Sequence, residues 1–90
     1  MKSSEPLLKG CMLLTEEHVY FGGMNLTYQL LVLAEKGMSC YRIRVLKNEE
    51  FDEAELGTDL MRAINRYQMI VRGTVTPCAL QDVMHELQYA

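Results

Sequence analysis

The sequence predicts an α+β fold, an N-terminal antiparallel β-meander of three to four strands followed by two short helices packed on one face. Three observations carry this prediction. Ser39 to Leu46 alternates polar and apolar side chains with the period of two that a half-buried strand requires. Gly22-Gly23 and Lys36-Gly37 stand where tight hairpins would turn the chain. Beyond Gly57 the apolar spacing becomes helical, at Leu60, Ile64, Tyr67 and Val71 and again at Leu80, Val83, Met84 and Leu87.

Parity fixes the pairing of the second and third strands, about residues 25–34 and 39–46. If Lys36-Gly37 closes the hairpin, Val32 faces Tyr41, Leu30 faces Ile43 and Tyr28 faces Val45, so six β-formers share the core face. Leu31 then lies opposite Arg42, Gln29 opposite Arg44 and Thr27 opposite Leu46. The first strand, about residues 12–21, allows two registers. A two-residue Gly22-Gly23 loop sets Glu17 beside Tyr28. A three-residue loop including Met24 sets His18 there and carries Leu14 and Tyr20 inward, and is the reading favoured by the burial it achieves.

Phe51 to Leu56 suits either a fourth strand or the first turn of a helix, and is read as an edge strand. Thr58 has the residue type of an N-cap, with Asp59 in the first turn favoured by the positive helix end, which starts a helix over about 59–72 that stops before Gly73. Thr76-Pro77 repeats the start signal for a helix over about 77–88. The whole is one domain over 1–90, with about 1–10 expected to be flexible and the sheet spanning about 12–56.

The 90 residues are 49% apolar and 23% charged, a globular composition that buries only about 60–65% of its unfolded surface. A net charge of −3 with scattered basic residues argues against nucleic acid as a partner. The longest apolar run, Leu30 to Ala34, is far short of the roughly 20 residues of a membrane span. The N-terminal residues match a signal peptide poorly, and Cys11, Cys40 and Cys78 form neither a disulfide framework nor a paired metal or redox motif. A cytoplasmic protein with reduced thiols is the expectation.

The order of Leu26-Thr27-Tyr28, Tyr41-Arg42-Ile43-Arg44-Val45, Ala54-Glu55-Leu56 and Val75-Thr76-Pro77-Cys78-Ala79-Leu80-Gln81-Asp82-Val83 resembles a family of short clostridia-type bacterial proteins, a domain of unknown function. The likeness spans roughly residues 15–87 and is sharpest over Val75 to Val83, in the pattern Val-Thr-Pro-x-x-Leu-x-Asp-Val. It implies strands followed by helices and a cytoplasmic bacterial origin. It brings no activity, cofactor or catalytic residue.

Individual residues offer little chemistry. Cys78 falls in the first turn of the second helix, where the helix dipole favours a thiolate, yet His85 is seven residues along the same helix, about 10 Å away by helical rise. His18 and His85 are the only imidazoles, too few for a typical metal site; His18 is expected to pack with its polar edge bonded under Tyr28, and His85 to sit in the last helical turn. Glu49, Glu50, Asp52, Glu53, Glu55 and Asp59 lack the ligand spacing of a calcium loop and read as a solvated, aggregation-resistant edge. Gly22-Gly23 is turn chemistry, not a phosphate loop. No residue is assigned to catalysis, a cofactor or a metal.

The remaining signal is a surface. Two helices cover one sheet face, which leaves Leu31, Leu33, Cys40 and Leu46 with Arg42 and Arg44 on the other, more apolar than solvation requires. This predicts a protein-interaction or regulatory module that binds a protein partner or self-associates through that face or through the edge strand. The alternative is a small-ligand-binding domain or a thiol-dependent enzyme using Cys78. A pocket gathering Cys78, a histidine and a carboxylate would favour the enzyme.

Overall fold

The computed structural model describes residues 11–88, so the expectations for residues 1–10 lie outside the described residues. Four strands, β1 (Cys11–Phe21), β2 (Met24–Glu35), β3 (Met38–Lys47) and β4 (Glu50–Gly57), form an antiparallel sheet in the order β1-β2-β3-β4. They are followed by α1 (Leu60–Arg72), a 3₁₀ turn (Pro77–Ala79) and α2 (Leu80–Gln88). The fold is the α+β meander that the sequence predicts, and Phe51 to Leu56 belongs to an edge strand. No helix among the described residues is long and apolar enough to cross a membrane.

The β2–β3 register follows from parity. Lys36-Gly37 forms the turn, and Tyr28 pairs with Val45, Leu30 with Ile43 and Val32 with Tyr41. In the first hairpin the structure has the two-residue loop, with Phe21 opposite Met24 and Glu17 opposite Tyr28. The three-residue reading fails because Gly22 and Gly23 have φ of +59° and +82°, the left-handed pair of a tight hairpin turn. Leu14 reaches the helix side by another route: a register shift between Leu13 and Thr15 makes it the extra residue of a bulge. Tyr20 stays outside, opposite Asn25 and exposed.

The helices cover the sheet face bearing Leu26, Tyr28, Leu30, Ile43, Val45 and Leu56, which is fully or nearly fully buried with Ala63, Tyr67 and Ile70 of α1 and Leu80 and Met84 of α2. Two buried hydroxyls tie the layers together. Tyr28 Oη donates to the Val75 carbonyl at 2.9 Å, and Tyr67 Oη to the Tyr28 carbonyl at 3.1 Å.

The start of α1 differs by one residue from expectation, and the segment expected to be helical from Pro77 opens as a 3₁₀ turn before α2. Asp59, not Thr58, is the N-cap of α1, and its Oδ1 accepts from the amides of Met61 at 3.0 Å and Arg62 at 3.3 Å. Thr76 precedes the 3₁₀ turn without a side-chain capping bond, and its hydroxyl lies 3.5 Å from Cys78 Sγ instead.

Candidate interaction surfaces

The sheet face away from the helices carries rows of residues paired across the strands. Glu16, Gln29, Arg44 and Glu53 form a polar row across all four strands. Gln29 Nε2 donates to Glu16 Oε1 at 2.7 Å, Arg44 Nε donates to Glu53 Oε2 at 2.8 Å, and Arg42 Nη1 reaches Glu53 Oε1 at 3.2 Å. The Arg44 guanidinium also lies over the Phe51 ring, 5.5 Å from its centroid. The Gln29 hydrogen bond, and then the bond from His18, hold the Glu16 carboxyl below its usual pKa.

These contacts change the character of the predicted patch. Leu31 is only 2% exposed, so it presents almost no surface. Leu33, Cys40, Arg42, Arg44 and Leu46 are half-buried. Long side chains paired along the row leave a face that is polar at its centre and apolar toward its ends.

His18 belongs to this same face. It sits opposite Thr27, exposed, with Nε2 2.8 Å from Glu16 Oε2 and Nδ1 3.2 Å from Thr27 Oγ1, and not under Tyr28. The two-residue turn places Glu17 on the helix side of the sheet, where it stays exposed, and turns His18 to the other side.

Cys78 is exposed beside a shallow depression of about 290 Å³ lined by Glu50, Phe51, Asp52, Pro77 and Cys78. The depression gathers a thiol and two carboxylates, and no histidine is among its lining residues. No group of three or more His, Cys, Asp or Glu among the described residues could hold a metal ion. Three residues of the acidic run have structural contacts: Glu53 pairs with both arginines, Asp52 accepts from Gln81 at 3.1 Å, and Asp59 caps α1.

A second concavity lies where sequence reading placed nothing. A groove of about 520 Å³ runs between β1 and α1, with apolar walls from Leu14, Leu30, Leu60, Ile64 and Val71 and polar groups from Thr15, Glu17, Tyr67, Gln68 and Arg72. Its origin is a mismatch in α1. Apolar residues occupy 60, 63, 64, 67, 70 and 71, a stripe wider than one contact needs. Ala63, Tyr67 and Ile70 are buried, whereas Leu60, Ile64 and Val71 turn toward β1, and Leu60 remains 43% exposed. The width of that stripe was the available sequence signal.

Glu17 is the unusual residue of this groove. It shares the inner sheet face with Tyr28, a position that parity reserves for apolar side chains. Burial pushes the Tyr67 hydroxyl well above its usual pKa, and the neighbouring Glu17 charge and hydrogen bond push it further. Among the described residues no cation forms an ion pair with Glu17, and Arg72 lines the groove without reaching it.

The two sheet edges differ. On β4, Gln81 Nε2 bonds to the Glu53 carbonyl at 3.0 Å, and acidic side chains flank it. The outer edge of β1 pairs with no strand among the described residues. β1 runs for 11 residues without Pro, Lys or Arg, with Met12, Leu13 and Leu14 exposed. Comparison with protein-family models, curated proteins and solved structures finds no match to this chain.

Proposed function

We propose that this chain is a small non-catalytic protein-interaction module that accepts an additional strand along the free edge of β1. The observation that carries this reading is the contrast between the edges. β4 is acidic and engaged by Gln81, while β1 offers a long row of backbone donors and acceptors that no strand among the described residues pairs, beside exposed Met12, Leu13 and Leu14. Strand addition satisfies such a row by main-chain hydrogen bonds, and side-chain pockets supply selectivity. The β1–α1 groove stands next to that edge. The open face around Leu33, Cys40 and Leu46, already crossed by its own paired polar row, is the weaker docking surface.

Hydrogen exchange over a protein concentration series, followed in parallel with sedimentation, tests the reading. Self-association or strand binding through this edge protects amides within 11–21 and leaves β4 unchanged. Association that protects β3 and the open face, with β1 amides unaffected, overturns it.

A further inference from the structure

We infer that the strand received by β1 is an extended partner segment with a lysine or arginine opposite Glu17 and apolar residues two positions to either side. This rests on the proposal that β1 is the docking edge. A strand added antiparallel to β1 lies about 4.8 Å outside it, and its residues share faces with those they oppose. Along the helix side of β1 the order is Leu14 and Thr15, then Glu17, then Val19, which oppose Leu30, Tyr28 and Leu26 on the inner side. The incoming strand therefore meets an apolar step, a carboxylate and a second apolar step. Its inward side chains project toward Leu60, Ile64 and Val71, the α1 surface that the sheet of this chain covers only in part.

Charge selects among occupants. Glu17 has no cationic partner among the described residues, and a docked strand reduces its hydration, so a positive group across from it is favoured and a negative one opposed. A second copy of this chain does not supply that group through its own β1. The ionisable residues of that strand include Glu16, Glu17 and His18 but no Lys or Arg, and His18 faces away from the groove. Charge complementarity thus favours a basic partner strand over β1–β1 pairing.

The test uses nine-residue peptides with capped ends, leucine at odd positions and threonine at even ones, except for lysine, glutamine or glutamate at the centre. Binding to the full chain is measured by titration calorimetry at low salt, with amide shifts locating the site. The expected result is contact with residues 11–21 and α1, with the lysine peptide at least about ten-fold tighter than the glutamate peptide, which corresponds to about 1.4 kcal/mol. Glu17→Lys reverses the order, and Glu17→Gln, the milder variant, removes it. Equal binding of all three peptides at β1 overturns the charge rule and leaves the edge proposal standing. No shift in β1 with any peptide overturns the edge proposal itself. A β1–β1 dimer that excludes the lysine peptide overturns the choice of a basic partner.

Discussion

The Tyr28 hydroxyl donates to the carbonyl oxygen of Val75, 47 residues later in the chain, across 2.9 Å of buried interior. The bond fixes the segment between α1 and the 3₁₀ turn onto β2, one of the two central strands. Tyr28 is buried with no measurable exposure, so its ring also fills the core beneath that segment.

Tyr28→Phe retains the ring and strands the Val75 acceptor, which costs about 1–3 kcal/mol. The urea midpoint should fall with an unchanged m-value. Tyr67→Phe removes the bond to the Tyr28 carbonyl and should cost less, about 0.5–1.5 kcal/mol, because that acceptor lies in a strand paired on both sides and is not stranded. A midpoint for Tyr28→Phe equal to that of the parent chain would show that the bond contributes nothing.

Both hydroxyls also predict an alkaline limit to stability. Burial raises the Tyr28 pKa, and burial together with the Glu17 charge raises that of Tyr67, from an ordinary value of 10.0. In the unfolded chain each ionises near its ordinary value while the folded protein keeps it protonated. Their contribution is whole below pH 10 and is lost as pH rises toward the folded values, with a slope of up to about 1.4 kcal/mol per pH unit for each group. Denaturation midpoints should lose this contribution only above about pH 10, and the decline between there and about pH 12 should flatten in the double Tyr→Phe variant. Tyrosinate absorbance should appear in step with unfolding for these two rings.

Which parts of this architecture are legible in the sequence follows from how many constraints agree. For β2 and β3, a two-residue turn and an alternating pattern on both strands point to one register, and the structure has it residue for residue. In β1 the same logic misleads. It assumes that bringing Leu14 to the helix side requires a shifted register, whereas a bulge turns Leu14 to that side, still partly exposed, and leaves the turn untouched. Glu17 then occupies an inner position that no burial argument would assign to it, and local rules of this kind fail most often at functional positions. On the open face, residue types do not reveal that Arg42, Arg44 and Glu53 lie paired across it.

The one-residue choice between Thr58 and Asp59 as helix cap is likewise invisible to composition, since both are good caps. The structure separates them. Asp59→Ala should lower stability by about 1 kcal/mol because two amides lose their acceptor. Thr58→Ala should change it by less than about 0.5 kcal/mol. Equal losses from the two variants, measured by chemical denaturation, would contradict the cap geometry.

Beyond α1 the chain turns through Thr74 at φ +49°, after Gly73 at φ −81°. A β-branched residue in the left-handed region carries strain of about 1–2 kcal/mol, which glycine avoids. Thr74→Gly also gives the unfolded chain more freedom, which offsets about 0.5–1 kcal/mol of that relief. It further removes the exposed bond from Thr74 Oγ1 to the Gly73 carbonyl. The strain is the larger quantity, so the variant should gain about 0.5–1 kcal/mol. Thr74→Ala keeps a Cβ in the strained geometry and should show no comparable gain. A fall in the urea midpoint for Thr74→Gly would mean that the hydroxyl bond outweighs the backbone strain.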